Sequence, residues 1–272
     1  MRIERVAGFP VAGEAGLYWL GQAGFWIETG AHRIVIDPYL SDSLARKYVG
    51  KPNDHRRMMP PPVEIEALPR PDIVLITHAH TDHMDPETLA PLAARFPGLP
   101  FVVPAAKLAV ARERIGAGAV LVPVDAGDEI APLPGVQVHV FAAAHEVAET
   151  DEAGRHLFLG YGIVGPRLRI YHSGDCIPFD GLSDAIARFG PDIALLPVNG
   201  RDELRLSAGV PGNFTLSEAV SLSDNIPYLV PHHFGMFAFN TIDPAEIDVE
   251  MERHKGRPTI LRPRTGETLK VI

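Results

Sequence analysis

The densest group of chemically reactive side chains is the segment His78-Ala79-His80-Thr81-Asp82-His83, which follows an apolar run. Neutral imidazole nitrogens and carboxylate oxygens are the usual protein ligands of zinc and related divalent metals. In an extended chain the i, i+2 spacing points His78 and His80 to the same side, and the following turn can aim Asp82 and His83 at a second ion. A polar turn of surface histidines is the alternative, and this density of ligand-type residues disfavours it.

Single His and Asp residues follow three further apolar runs. His145 follows one run and three alanines, Asp175 lies in a His-Ser-Gly-Asp-Cys segment, and His232 and His233 follow the run 228–231. Each of them alone is equally well explained as a hydrogen-bonded surface residue. Four strand ends that all present metal-type ligands predict one shared site instead, in which the two oxygens of Asp175 can bridge two ions.

The elements that must position these residues are short strands mixed with helices. Apolar, β-branched runs between turn residues predict strands at 16–20, 24–28, 33–36, 72–77, 101–103, 120–124, 136–141, 167–171, 193–197 and 228–230. Helices are predicted at 107–115, 182–189 and 216–223, and Asp85 with Pro86 supplies the N-cap and first-turn proline of another that runs through Phe96. This mixture predicts an α/β protein with two sheets between helical layers.

Composition limits the other possibilities. A chain of 272 residues that is 46% hydrophobic can bury a full core, so a single domain over residues 1–272 is expected. A net charge of -9 argues against nucleic acid as a partner. The lone Cys176 excludes an intramolecular disulfide framework and fits a reducing compartment. Because no run is apolar enough for a secretion signal or a membrane span, a cytoplasmic location is predicted.

The order of these motifs over nearly the whole chain resembles the metallo-β-lactamase superfamily: His-x-His-x-Asp-His, a lone His, Gly-Asp and a late His. The resemblance implies a four-layered αββα sandwich with two divalent metal ions, Zn²⁺ or Mn²⁺, with iron also compatible. It implies seven ligands: His78, His80 and His145 for one ion, Asp82, His83 and the late His for the other, and Asp175 as the bridge.

Two further residues are assigned by the same resemblance. The family pattern Pro-x-His before an aromatic residue fits Pro231-His232-His233-Phe234-Gly235, which favours His233 as the late ligand and leaves His232 as the alternative. Asp37 matches the aspartate of the superfamily's first motif, which orients a ligand His through its other ring nitrogen. A turn aspartate before Pro38 is the alternative.

A closer resemblance is to the L-ascorbate-6-phosphate-lactonase-like branch. It rests on Trp19-Leu20-Gly21-Gln22-Ala23-Gly24, on His172-Ser173-Gly174-Asp175 and on the motif around His233. Many relatives have His where this chain has Gln22, so the substrate class stays open, and Gln22 can equally be an ordinary turn residue. The branch includes assemblies, which suggests a homo-oligomer.

The predicted function is that of a metal-dependent hydrolase. Two ions can activate a shared water, while Asp82 or Asp175 orients it or relays a proton to open a lactone or cleave a carboxylic ester. The alternatives are a phosphodiesterase for a nucleotide or lipid-like substrate, a non-catalytic metal-binding protein and, remotely, a di-iron redox centre. No Gly-x-Ser-x-Gly elbow is present, and Cys176 is more easily explained as a small residue of the site wall.

Contacts to the substrate are predicted from weaker signals. The segment 41–63 is a long basic loop that includes Arg46, and long loops often act as lids or binding segments. Arg201, Asn199 and His156 lie in segments that can reach the ligand-bearing rim. Local Arg residues in an acidic protein favour a small anionic substrate, because Arg forms bidentate hydrogen bonds. A solvated loop or a subunit interface is the alternative.

Overall fold

Fifteen strands form two sheets in the computed structural model, which describes residues 1–272. The first sheet contains, in spatial order, β1 (Ile3–Ala7), β15 (Glu267–Val271), β2 (Gly16–Gly21), β3 (Gly24–Glu28), β4 (Arg33–Ile36), β5 (Ile73–Leu75), β6 (Pro100–Pro104) and β7 (Val120–Val124). The second contains β14 (Thr259–Ile260), β13 (Tyr228–His232), β12 (Ile193–Pro197), β11 (Arg169–His172), β10 (Leu159–Val164), β9 (Val136–Ala142) and β8 (Glu129–Leu133).

Seven α-helices accompany the sheets: α1 (Ser43–Lys47), α2 (Pro86–Arg95), α3 (Leu108–Ile115), α4 (Leu182–Phe189), α5 (Glu203–Ser207), α6 (Leu216–Leu222) and α7 (Pro244–Arg253). Side chains cap several of them: Asp85 accepts a hydrogen bond at the start of α2, and Thr215 forms a capping box with Glu218 in α6. The longest helices have ten residues, which is too short to cross a bilayer.

Alternate residues along the strands of the first sheet face two different cores. In β2, Leu17 and Trp19 belong to the large core between the sheets, whereas Tyr18 and Leu20 belong to a second core that includes side chains of α2 and α3. Burial on both faces explains why these strands are near-continuous apolar runs. The helices α4, α6 and α7 pack against the second sheet. The result is the predicted αββα sandwich.

The two sheets each have a parallel half, and these halves position the site. Strands β4 to β7 are parallel in the first sheet, and β11 to β14 are parallel in the second. Parallel neighbours end at the same sheet edge, so the segments after β4, β5, β11 and β13 emerge close together. Those segments carry the metal-type residues found in the sequence.

Every strand and helix predicted above has a counterpart in the structure, but the sequence patterns missed several elements. The strands β1, β8, β14 and β15 and the Gly-containing β10 were not predicted, nor were α5 and α7. The segment 41–63 is not wholly irregular, because α1 begins it. That residues 1–272 form a single domain stays a prediction.

Candidate metal centre

Two groups of three side chains converge at the shared edge of the sheets. His78, His80 and Asp175 form one group, and Asp82, His83 and His233 form the other; in each group the ligand atoms lie within 4.8 Å of one another. The loop after β5 folds into a tight turn, in which the His83 and Met84 amides donate to the His80 carbonyl. This turn is what separates the first two histidines from Asp82 and His83.

Asp175 lies between the two groups. Its Oδ1 is 3.3 Å from His83 Nε2, and its Oδ2 is 3.3 Å from His233 Nε2. The same Oδ2 is 3.5 Å from His145 Nε2 and 4.0 Å from His78 Nε2. His145 therefore joins the first group from the side of Asp175, and the seven predicted ligands are brought together around one carboxylate.

Gly174 allows the chain to deliver Asp175 to this position. Its φ is +63°, and a Cβ there would lie 2.6 Å from the Leu159 carbonyl oxygen and 2.9 Å from Thr77 Cβ. Only glycine fits a left-handed turn so close to a neighbouring backbone. The Gly-Asp motif is thus a consequence of how closely β10 and the loop after β11 approach each other.

Three of the imidazoles are oriented by partners on their Nδ1 side. His83 Nδ1 is 2.7 Å from Asp37 Oδ2, His145 Nδ1 is 2.8 Å from the Gly212 carbonyl oxygen, and His78 Nδ1 is 3.0 Å from Thr77 Oγ1. Since carbonyl and carboxylate oxygens only accept, the rings of His83 and His145 donate from Nδ1. This tautomer leaves their Nε2 lone pairs facing Asp175.

Asp37 is fully buried and has a positive φ of 42°. Besides His83, its carboxylate accepts hydrogen bonds from the Thr77 amide at 2.8 Å and the Thr77 hydroxyl at 2.5 Å. The structure thus places Asp37 behind the ligand group, in contact with the far side of a ligand ring. A simple turn role for Asp37 would not require these buried contacts.

The charges in the centre perturb one another. Burial favours the neutral form of His83, but Asp175, Asp37 and Asp82 outweigh it and hold the His83 pKa well above its usual value. Burial likewise favours neutral Asp175, but His233 and His83 hold its pKa well below the usual value. Burial, together with the nearby His145, lowers the pKa of His80 to about 4. The carboxylates are therefore ionised and His80 is neutral, whereas the three carboxylates around His83 favour its protonated form.

The donor set fits a pair of divalent cations. Buried Nε2 atoms of His78 and His83 and Oδ1 of Asp175 have no hydrogen-bond partner. Buried polar atoms without a partner are rare, because each loses its bonds to water. Imidazole nitrogens and carboxylate oxygens at this spacing match the preferences of zinc, manganese and iron. Cations held by the two groups would satisfy these three atoms.

The structure separates the two late histidines. His233 has a positive φ of 61° and faces Asp175, whereas His232 points away and stacks on His172, with ring centroids 4.7 Å apart. Both nitrogens of His232 are buried without a partner, and burial holds its pKa well below the usual value. The geometry thus favours His233 as the late member of the ligand group.

Gln22 is a member of the centre that sequence reasoning left as a possible turn residue. Its side chain is fully buried, and its Nε2 is 2.7 Å from Asp82 Oδ2 and 3.1 Å from His233 Nε2. Its φ is 51°, next to Gly21 with a φ of 92°. The Gly-Gln-Ala-Gly turn was visible in the sequence, but the partners of Gln22 lie far away along the chain.

A cavity of about 250 Å³ opens onto the centre. Its floor includes Asp82 and Asp175, and its walls come largely from two segments. The segment 41–63 supplies Leu44, Lys47, Tyr48 and His55. Phe237, Phe239, Asn240 and Arg114 also line the cavity, and the two phenylalanine rings pack against His55. The basic segment 41–63 thus lines part of the cavity. Its role as a lid or binding segment stays a prediction.

The predicted substrate contacts do not line this cavity. Arg46 pairs with Glu87 at the surface, His156 Nδ1 is 3.0 Å from Asp125, and Arg201 makes a bidentate pair with Glu218. Asn199 lies one layer behind the wall, where its amide donates to Asn240 Oδ1 at 2.7 Å. Each arginine is held by a nearby carboxylate that its position in the sequence did not reveal.

Cys176 is completely buried, and its Sγ lies 3.2 Å from the Ile177 carbonyl oxygen. Burial raises the pKa of its thiol to about 12. A thiol that stays protonated is a poor nucleophile, and Cys176 belongs to the large core between the sheets. Its role is packing behind Asp175.

Residues 32–234 match the family described as the β-lactamase superfamily domain. The chain belongs to this superfamily and has the metallo-β-lactamase fold.

Individual proteins resemble the chain at lower identity. A UPF0173 metal-dependent hydrolase of Myxococcus xanthus is 28% identical over 267 residues, which cover 94% of this chain and 83% of that protein. An uncharacterized protein of Mycobacterium tuberculosis is also 28% identical, and the chain spans only 60% of its length while 83% of this chain is covered. The crystal structure of isothiocyanate hydrolase from Delia radicum gut bacteria has a TM-score of 0.75 at 21% identity, covering 93% of this chain and 98% of that one. This last similarity shows the fold alone.

Proposed function

We propose that this protein is a metal-dependent hydrolase with two divalent ions, Zn²⁺ or Mn²⁺, held by seven residues: His78, His80 and His145; Asp82, His83 and His233; and Asp175 between them. The observation that carries the proposal is a group of buried atoms without hydrogen-bond partners beneath an open cavity. They are Nε2 of His78, Nε2 of His83 and Oδ1 of Asp175. The printed name of the Myxococcus xanthus relative supports the same class of activity.

Two bound divalent ions would supply an activated water and polarise the bond under attack. Asp82 lies in the cavity floor with its side chain 16% exposed, and the nearby histidines outweigh its burial and lower its pKa. An ionised carboxylate at this position accepts a proton from a water molecule and passes it to the leaving oxygen. Asp175 is buried deeper and holds the two ligand groups at a fixed distance.

The cavity favours a small substrate with an anionic and an apolar part. Lys47 and Arg114 are cations of its wall, and Lys47 Nζ is 3.3 Å from Thr81 Oγ1, beside Asp82. Phe237 and Phe239 give the same cavity an apolar surface. We therefore propose a lactone or carboxylic ester whose acid group faces Lys47 and whose apolar part contacts the phenylalanines.

A phosphodiester of a nucleotide or lipid-like alcohol is the second candidate. The same two cations favour it, because a phosphate has a charge near the scissile bond that Lys47 can neutralise. The two candidates differ in where the anion lies within the substrate: in the phosphodiester it is part of the scissile group, whereas in the ester it is a separate group.

The test is elemental mass spectrometry of protein purified without added metal, with His80→Ala, Asp175→Ala and the control His139→Ala. His139 is a histidine of β9 that contacts only Glu129 through its ring nitrogen, at 3.0 Å. About two equivalents of a transition metal are expected in the wild type and the control, with a sharp fall in the other two variants. Absence of metal from reconstituted wild type would contradict the proposal.

Activity then separates the substrates. Aliphatic lactones and p-nitrophenyl esters, with and without a carboxylate, are compared with bis-p-nitrophenyl phosphate. We expect hydrolysis of the carboxylate-bearing esters, with Lys47→Met raising KM for these more than for neutral esters. Turnover of the phosphodiester alone would transfer the assignment to the second candidate.

A further inference from the structure

Gln22 is held against two residues of the second ligand group by contacts on both its backbone and its side chain. Its carbonyl oxygen accepts hydrogen bonds from Trp19 Nε1 at 2.9 Å and from the His233 amide at 3.0 Å. A left-handed backbone conformation, which is unfavourable for a non-glycine residue, turns the side chain inward. Non-glycine residues held in this region cluster where side-chain chemistry matters.

Only one end of the Gln22 carboxamide has hydrogen-bond partners. Its Nε2 donates to Asp82 Oδ2 at 2.7 Å and is 3.1 Å from His233 Nε2, while its Oε1 is buried without a partner. The oxygen and nitrogen ends of a carboxamide have almost the same shape, so turning the amide over exchanges them. Exchange would place Oε1 against Asp82 and His233.

A cation between Asp82, His83 and His233 decides which end is preferred. Without one, the N–H group of Gln22 is the better neighbour for an ionised carboxylate, as observed. With one, the His233 lone pair is committed to the ion, so the N–H group keeps only Asp82 as an acceptor and its positive end faces the positive ion. A neutral carbonyl oxygen is instead an acceptable donor for a divalent metal.

We propose that Gln22 is an eighth ligand residue of the centre, which turns its carboxamide oxygen to the cation held by Asp82, His83 and His233. This inference rests on the proposed metal centre. It adds a neutral oxygen donor on one side only, so the two cations are held by unequal donor sets. The second group thereby gains a donor without gaining negative charge.

The test compares Gln22→Glu with Gln22→Met by calorimetric titration of metal-free protein with Zn²⁺ or Mn²⁺. Glu keeps an oxygen at the same distance from the backbone and lacks the N–H group, whereas Met keeps the length and lacks both. Gln137, the only other glutamine, is exposed on β9, and Gln137→Met is the matched control.

We expect Gln22→Met to weaken binding of one of two equivalents roughly 10–100-fold, and Gln22→Glu to bind that equivalent at least as tightly as wild type. A metal-induced rise in melting temperature that is smaller in Gln22→Met provides a second readout. If the N–H bond to Asp82 were the only role, Gln22→Glu would bind as poorly as Gln22→Met, and this overturns the inference. Two unchanged equivalents in both variants overturn it while the metal centre stands, whereas no binding by wild type removes both.

Discussion

At the scale of single residues, the orientation of the histidines matters as much as their presence. Asp37 shows this, because its carboxylate holds the Nδ1 of His83 at 2.7 Å and so presents Nε2 to Asp175. Metal-ligating histidines whose partner is removed typically lose one to two orders of magnitude in affinity. The role of Asp37 is therefore measurable without any substrate.

We expect Asp37→Asn to weaken metal binding roughly 10–100-fold while the fold is retained, because Asn has the same size but only one accepting oxygen. Competition with a chromophoric chelator measures the affinity, and circular dichroism checks the fold. Asp180→Asn, at an exposed position, is the control and should leave the affinity unchanged. An Asp37→Asn variant with wild-type affinity would contradict the role assigned to Asp37.

Residue types could be predicted from the sequence, but their partners could not. The ligand-type residues of 78–83 and Asp175 were identified from spacing and strand ends, and the structure brings them together. Arg46 and Arg201, which were predicted as substrate contacts, are paired with Glu87 and Glu218. Such partners lie many residues away, so a basic residue in a loop says little about what it contacts.

At the scale of elements, the strand-end turns fix where the ligands can be. The Gly174 turn is the tightest of these, since its Cβ position lies 2.6 Å from a carbonyl oxygen. Gly154 has a comparable φ of +78°, but nothing lies within 4 Å of its Cβ position. An alanine at position 154 would therefore add only the strain of a left-handed backbone, whereas an alanine at position 174 would add that strain and a steric clash.

We expect Gly154→Ala to lower the free energy of unfolding by about 1–2 kcal/mol, the conformational cost alone. Gly174→Ala should cost more and should also release metal, because the chain must shift and carry Asp175 with it. Urea denaturation and elemental analysis of both variants provide the comparison. Equal effects of the two substitutions would show that the close approach at Gly174 is unimportant.

The segment 41–63 is anchored chiefly by Arg57. Its Nη1 donates to the Tyr39 carbonyl at 2.8 Å and the Ser41 carbonyl at 2.9 Å, and its Nε donates to Met59 at 3.0 Å. Burial lowers the pKa of this guanidinium. The anchor keeps Tyr48 and His55 at the cavity, where their rings stack with centroids 3.9 Å apart.

Arg57→Met should therefore loosen the segment. Three carbonyls lose their donor, so we expect roughly 1–3 kcal/mol of destabilisation and faster tryptic cleavage after Arg46 and Lys47. Arg56→Met removes an exposed arginine that contacts only Asp54, and it should be cleaved at the wild-type rate. Mass spectrometry of timed digests measures both, and equal cleavage rates would contradict the anchor.

Strand and helix positions were predictable where burial on both faces produced apolar runs. The edge strands β1 and β8 were missed because they are partly exposed and carry charged residues such as Arg5 and Glu129. For the same reason α5, whose residues are all at least partly exposed, gave no amphipathic signal. Helix α1 is only five residues long. Exposure, which removes the hydrophobic pattern, thus explains β1, β8 and α5, whereas β10 is buried and has two glycines in its apolar run.

At the scale of the whole molecule, the metal centre joins the two sheets. His78, Asp82 and His83 follow a strand of the first sheet, while His145, Asp175 and His233 follow strands of the second. Any cation held by both sets contributes to the stability of the sandwich, because it binds the folded chain and not the unfolded one. We therefore expect folding and metal binding to be coupled.

Removal of metal should lower the melting temperature measurably. Ions present at a thousandfold excess over Kd stabilise a folded protein by about 4 kcal/mol, and that contribution is lost in excess chelator. Differential scanning calorimetry with chelator, and after metal is restored, measures the difference; the Asp175→Ala variant should show none. Identical melting of wild type in both conditions would contradict the coupling.

Only four non-glycine residues have a positive φ: Gln22, Asp37, Glu146 and His233. Three of them belong to the metal centre, and the fourth follows His145. Gln22 and His233 have unpartnered buried polar atoms as well, so glycine at either position would relax the backbone and remove an unsatisfied group. A library of this chain selected for heat resistance in metal-free medium should therefore accumulate glycine at positions 22 and 233, and selection on metal-dependent turnover should restore the original residues.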